Sequence, residues 1–276
     1  NPKFGDKENT VFYIKTNRSV QDKSRSKKTL STIHMQAGRS IDTIFEVEGG
    51  ISNYSLSKDG KSMYVITSEW SKEFKNIEDK NSEPMYYENL PFRFDTRGII
   101  YNKRSHVYKV NIQTKKFIKI VDGDAKDIIS IESMVEGEKG LVLSFDQYNS
   151  KGTMLEEKIG AIEGSKIKEI YSQGSMGNLF YYEDGLHAVG MRKRFDWPTN
   201  TTVLKISKAG KVSFKYHSFD RNVVKAEVNE SILYFLYEDS GKTLLRDGTN
   251  NIDLINSEIT IKDFAFNNEQ TFVIAN

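Results

Sequence analysis

Apolar residues in this chain come in short runs, rich in β-branched and aromatic side chains and separated by polar turns. Such runs predict strands. Six of them head a repeating pattern: TVFYIKT (Thr10–Thr16), SMYVITS (Ser62–Ser68), GLVLSFD (Gly140–Asp146), GLHAVGM (Gly185–Met191), SILYFLY (Ser231–Tyr237) and TFVIAN (Thr271–Asn276). A polar loop follows each of the first five, and then a hairpin. The hairpins read STIHMQAGRSIDTIF (Ser31–Phe45), HVYKVNIQTKKFIKIV (His106–Val121), KIGAIEGSKIKEIY (Lys158–Tyr171), TVLKISKAGKVSFKY (Thr202–Tyr216) and TLLRDGTNNIDLIN (Thr243–Asn256). AGRS, QTKK, EGSK, KAGK and GTNN occupy the turns, where Gly and Asn tolerate positive φ. No stretch of roughly 11–18 residues sustains a helical period.

A small antiparallel meander recurring every 40–50 residues or so is the mark of β-propeller blades, as in WD40-like repeats. One meander cannot bury both faces, and stacking blades covers them. A β-sandwich or an irregular all-β domain would share the strand content but not the recurring order. The expectation is a single all-β propeller domain over residues 1–276, of about six to seven four-stranded blades. Its boundaries fall near 1–50, 51–127, 128–177, 178–224 and 225–259, with an incomplete last blade from 260 to 276. TFVIAN has no hairpin after it, so strands from the other end or further sequence must complete that blade.

The repeat is interrupted once. Residues 70–105 form an insertion within the second blade, carrying Trp70, Tyr86, Tyr87, Phe92, Phe94 and Tyr101. Long loops of this kind are commonly functional, and this one is too aromatic for simple disorder.

Composition narrows the classes. Forty Lys+Arg stand against 38 Asp+Glu, a net charge of +2, which argues against a nucleic-acid binder. The absence of cysteine excludes disulfides, thiolate catalysis and thiolate metal sites, and fits a cytoplasmic location. No apolar run approaches the roughly 18 residues of a membrane span. There is no initiator Met and no signal sequence, so the chain is expected to start inside a longer one.

The segment PMYYENLPFRFDTRGIIYNKRSHVYKVNIQTKKFIKIVDGD (Pro84–Asp124) resembles a blade of the acylaminoacyl-peptidase-like branch of the prolyl oligopeptidase family. In that branch an lPYRfDGrG segment is followed by RSHLyvvdl and a GD pair. Pro91, Arg93, Asp95, Arg97, Gly98, Arg104, Ser105, His106, Gly123 and Asp124 match. NPKFGDKENTVFYIKT and SLSKDGKSMYVITS (Ser55–Ser68) resemble its opening and its recurring wSPDGk turn, with Lys58 where the family has Pro. The resemblance implies a propeller that caps an α/β-hydrolase domain, filters peptide substrates by size and supplies part of the pocket. That domain is expected after residue 276.

The chemistry of such a peptidase is not evident within the chain. QGSMG (Gln173–Gly177) is the nearest string to a G-x-S-x-G nucleophile elbow, but NLFYY follows it as a strand rather than a helix. Ser175, Asp184 and His187 give the order of a triad, yet two of them lie in one strand opening. His34, His106, His187 and His217 lack ligand spacing, and Asp122, Asp124 and Asp127 lack the pattern of a calcium loop. The basic stretch from Lys15 to Lys28 has no interleaved aromatics, and Glu156–Glu157 face apart on neighbouring positions. The expectation is therefore no catalytic, cofactor-binding or metal residue here. The contact candidates toward substrate or the hydrolase domain are Tyr86, Tyr87, Arg93, Phe94, Arg97 and Arg104. A homo-oligomer is compatible with this reading. The alternative is a free-standing propeller that binds a ligand or partner without peptidase activity.

Overall fold

The structure is a computed structural model. It describes residues 3–4, 10–18, 29–72, 93–94, 98–99, 103–138, 140–164, 166–183, 185–192, 200–215, 219–255, 259–266 and 271–275. Four-stranded antiparallel sheets follow one another along the chain. The first is β1 (Lys3–Phe4), β2 (Thr10–Arg18), β3 (Thr29–Ala37) and β4 (Ser40–Glu48), paired in that order. The second is β5 (Gly50–Leu56), β6 (Ser62–Trp70), β9 (Lys103–Asn111) and β10 (Phe117–Val121). Within the insertion, β7 (Arg93–Phe94) and β8 (Gly98–Ile99) pair only with each other. The third sheet is β11 (Ile128–Gly137), β12 (Gly140–Tyr148), β13 (Leu155–Glu163) and β14 (Lys166–Tyr171). The fourth is β15 (Ser175–Tyr182), β16 (Gly185–Met191), β17 (Thr202–Ile206) and β18 (Val212–Phe214). The fifth is β19 (Val223–Asn229), β20 (Ile232–Asp239), β21 (Lys242–Asp247) and β22 (Ile252–Asp253). Of a sixth, β23 (Ile261–Phe266) and β24 (Thr271–Ala275) are described. A single helical turn, α1 (Gly123–Lys126), follows β10. These are five β-propeller blades and an incomplete last one.

The hairpins read from the sequence are the outer strand pairs of the five blades. Four of their turns take positive φ at the Gly or Asn that the sequence offers, +60° at Gly38, +61° at Gly164, +73° at Gly210 and +62° at Asn251, and in QTKK Lys115 takes it, at +58°. Gly210 is needed twice over, because a Cβ there would stand 2.4 Å from the Ile170 carbonyl oxygen. One detail differs from the sequence reading. The apolar run taken to head each repeat is the second strand of its sheet, and a more polar strand precedes it.

The chain divides into two compact units, residues 1–131 with 145–156, and 132–144 with 157–276. In the first unit, Phe12, Ile33 and Phe45 pack against Tyr54, Met63, Val65, Tyr108 and Val110, joining the first two sheets. In the second unit, Phe180, Tyr182 and Val203 pack against Phe235, Tyr237 and Leu244, joining the fourth and fifth. Deleting a buried aromatic from such a joint costs about 3–5 kcal/mol.

Polar ties reinforce these joints, and many come from the first strands. The buried Tyr54 hydroxyl donates to the Phe12 carbonyl at 2.7 Å, and burial pushes its pKa up to about 12. The Leu179 N–H donates to Ser133 Oγ at 2.8 Å, and the Ala226 N–H to Asn178 Oδ1 at 2.5 Å. Lys225 Nζ reaches Asp263 at 2.6 Å and the Phe264 carbonyl at 2.9 Å. Burial opposes its charge, but Glu227 and Asp263 outweigh that and hold the ammonium above the usual lysine range. Each tie runs from the first strand of one sheet to a neighbouring sheet.

Candidate functional site

The base of the insertion is the most elaborately built polar site among the described residues. Its two stems are β6 and β9, paired without a break from Ser62–Asn111 to Trp70–Lys103. Lys103 Nζ sits 5.3 Å from the centre of the Trp70 ring, a cation–π contact at the point where the insertion leaves the sheet.

The turn that follows β10 closes on both stems. Asp122 caps α1, its side chain accepting the Asp124 N–H at 3.2 Å. Asp127 ends the turn at φ +53° and returns its N–H to the Gly123 carbonyl. Gly123 lies so close to β9 that a Cβ would stand 2.1 Å from the Ser105 carbonyl oxygen, which only glycine permits. From this turn, Asp124 Oδ1 accepts the Lys72 N–H at 3.2 Å, two residues past the end of the β6 stem. Asp127 pairs with Arg104 at 2.8 Å on the other.

His106 stands behind the turn, 1% exposed. Its Nδ1 accepts the Gly123 N–H at 3.0 Å, so a neutral ring carries its proton on Nε2. Burial pushes its pKa down, against the pull of Glu69, Asp124 and Asp122. Glu69 accepts the hydroxyls of Thr67 at 2.7 Å and Tyr108 at 2.9 Å. Burial and then Glu69 drive the Tyr108 phenol well above its ordinary pKa. Burial also opposes the charge on Asp122, but Lys119, His106 and Lys72 outweigh it and hold the carboxyl below the usual range.

Donor atoms of His106, Asp122 and Asp124 lie within 4.8 Å of one another, close enough for a metal to bridge. Yet Nδ1 already accepts Gly123, both aspartates hold backbone N–H groups, and Lys72 and Lys119 lie 3.7 and 4.0 Å from Asp122. The arrangement is a backbone clamp. It also gives the RSH and GD strings a physical meaning: Arg104, His106, Gly123 and Asp124 are the parts that meet in it.

The six contact candidates fare differently. Arg104 is 6% exposed, paired with Asp127, and also donates to the Lys103 carbonyl at 3.0 Å. Arg93 and Phe94 lie on β7, opposite Ile99 and Gly98 of β8. Tyr86, Tyr87 and Arg97 fall outside the described residues.

The triad candidates do not converge. Ser175 opens β15 opposite Met191, whereas His187 of β16 pairs with Phe180. The four-residue step from His187 to Met191 is roughly 13 Å of strand, and no helix follows QGSMG. Asp184 and His217 lie outside the described residues. His187 is fully buried, stacked on Phe180 and edge-on to Tyr182, with Nδ1–H donating to the Gly185 carbonyl at 3.1 Å. His34 lies between the hydroxyls of Thr32 and Thr43 at 2.9 and 3.2 Å. A cavity of about 510 Å³ beside the β20–β21 turn is lined by Arg221, Asp239 and Lys242, with Arg221 already bonded to Asp239 at 3.0 Å. Sequence reading missed Glu69 and Tyr108. Tyr108 stands two positions along β9 from His106, on the same face, and Glu69 lies on β6 opposite Arg104, a placement that only the pairing of β6 with β9 reveals.

No family model and no curated protein sequence matches the chain. Solved structures do. The acylaminoacyl peptidase of Pyrococcus horikoshii superposes on all of it with a TM-score of 0.67 at 12% identity, over 48% of the peptidase. The β-propeller domain of the Trilobed protease from Pyrococcus furiosus also covers all of it, with a TM-score of 0.51 at 13% identity over 90% of that domain. TolB from Acinetobacter baumannii covers 90% of the chain and 53% of its own, with a TM-score of 0.54 at 12% identity. The chain thus spans about half the length of the peptidase it resembles. Its structural neighbours include the propeller portions of acylaminoacyl peptidase and related prolyl-oligopeptidase-family enzymes, and its fold is theirs.

Proposed function

We propose that this chain is the propeller portion of a serine peptidase of the prolyl oligopeptidase type, acting in the cytoplasm. It is non-catalytic by itself and works with an α/β-hydrolase domain of the same parent chain. Support comes from the superposition of the entire chain on the propeller of an acylaminoacyl peptidase. In this reading the propeller gates peptide access, and the insertion meets the peptide or the hydrolase domain. Excursions from a rigid scaffold commonly carry function, and Arg with Tyr is the composition of binding hot spots. Arg93 and Arg97 are suited to grip a carboxylate in bidentate fashion. Arg104 serves the same surface from below by fixing the stem.

The test uses the full-length protein. Arg93→Ala and Arg97→Ala should raise KM for a peptide substrate, or weaken interdomain association, several-fold with little change in thermal midpoint. If both variants unfold the propeller and leave KM per folded molecule intact, the insertion is structural and the assignment fails.

A second reading is a propeller that binds a ligand or partner without peptidase activity. The fold is shared with TolB as well as with peptidases, which supports this reading. A hydrolase domain with its own nucleophile elbow in the parent protein decides for the first reading; a reading frame without one decides for the second.

A further inference from the structure

The clamp contains one atom with two mutually exclusive partners. His106 Nδ1 faces the Gly123 N–H at 3.0 Å and Asp122 Oδ1 at 3.3 Å. Without a proton, Nδ1 accepts from Gly123 and has nothing to offer a carboxylate. With a proton, it donates to Asp122 and can no longer accept from Gly123. We propose that His106 is a proton-operated latch: neutral, it holds the turn closed on both stems of the insertion; protonated, it exchanges Gly123 for Asp122 and releases them.

The release has a defined route. Asp122 caps α1 with the same Oδ1 that faces Nδ1, and turning that oxygen toward an imidazolium Nδ1–H weakens its bond to the Asp124 N–H while the Gly123 N–H loses its acceptor. A single helical turn has almost no internal bonds to survive a weakened cap. That turn carries Asp124, which holds the Lys72 N–H, and Asp127 at its end holds Arg104. One proton therefore acts on both stems.

The groups around the ring set the direction. Glu69 from β6 and Asp122 and Asp124 from the turn favour the proton; Lys119 from β10 opposes it. Lys72 reaches the same Asp122 from the far side of the turn, and the Tyr108 ring lies 6.4 Å away on the ring's own strand. Burial outweighs the carboxylates, so the folded pKa lies below the ordinary value of about 6.5. The latch is closed at neutral pH and opens only as pH falls below that ordinary value. The latch tethers the insertion whether or not the insertion touches substrate.

The test reads the ring and the backbone by NMR in the same protein. At about pH 7.5 the His106 ring should carry its proton on Nε2, with Nδ1 bare. As pH is lowered toward 5 the ring should titrate. Protection factors at the Lys72 and Gly123 amides, corrected for intrinsic exchange, should fall about tenfold in step with it. His106→Asn offers an oxygen to the Gly123 N–H but cannot titrate, and should keep its protection across the same range. An Nδ1–H ring at pH 7.5, a ring that stays neutral through pH 5, protection that holds while the ring titrates, or an equal loss in His106→Asn overturns the latch. If His106→Asn does not fold, the wild-type tautomer and protection decide alone.

Discussion

His106 and His187 are both buried and both neutral, but opposite nitrogens carry the proton. His106 accepts a backbone N–H through Nδ1, whereas His187 donates to a backbone carbonyl through Nδ1 and leaves Nε2 without a partner. Burial depresses both pKa values. Depressed histidines bind protons in the unfolded chain before they do in the folded one. Their contribution to stability is therefore full above about pH 6.5 and lost as pH falls from there toward the folded pKa. The thermal midpoint should drop between pH 7.5 and pH 5. His187→Phe, which keeps the stack on Phe180 and removes the orphan nitrogen, should show a smaller drop and a near-unchanged midpoint at pH 7.5. An identical pH dependence in the variant would show that His187 contributes nothing to it. Two further substitutions probe single atoms. Tyr54→Phe removes the hydroxyl bonded to Phe12 and should cost about 1 kcal/mol in denaturant unfolding. Gly123→Ala places a Cβ against the Ser105 carbonyl and should cost more, about 2 kcal/mol or above, by forcing the clamp apart. Equal costs for the two would mean that the turn yields easily.

At the scale of elements, the second, third and fourth strands of the complete blades were legible, whereas of the first strands only the NLFYY part of β15 was read as a strand. The legible ones have apolar runs or tight turns with Gly or Asn. The first strands, such as GISNYSL, SMGNLFYY and VVKAEVN, carry polar residues within their length and break register at bulges. Both features follow from their role. Asn178, Ser133 and Lys225 sit there to bond the adjacent sheet, and a bulge re-aims the side chain that does so. A polar residue that bonds a neighbouring sheet looks, in sequence, like a loop residue. Asn178 also holds φ +44°, a conformation asparagine tolerates better than alanine. Asn178→Ala should therefore destabilise by about 1–3 kcal/mol, and Asn178→Gly, which relieves the backbone but not the lost bond, by less. A larger loss in the glycine variant would show that the bulge is held by something else. The clamp was half legible. The RSH and GD strings stood out, but only the fold shows that Arg104 grips Asp127 at the base, where the sequence suggested a contact residue.

At the scale of the whole molecule, the repeat explains why Ser175 and His187 do not converge. Strands of a meander place their side chains on two packed faces, and Ser175, His187 and His34 each occupy a strand position rather than a convergent loop. The last described strand makes the same point about burial. β24 has the apolar sequence of the second strands before it, yet Phe272 and Ile274 are 39% and 59% exposed, whereas Leu143 in β12 and Ala188 in β16 are fully buried. This chain is proposed to be a non-catalytic portion of a serine peptidase. The most direct measurement is to treat the full-length protein and this chain with a fluorophosphonate that labels activated serines, and to map the label. The account predicts one labelled serine, outside residues 1–276, and no label on this chain alone. Label at Ser175, abolished by Ser175→Ala, or no label on the full-length protein, would contradict it.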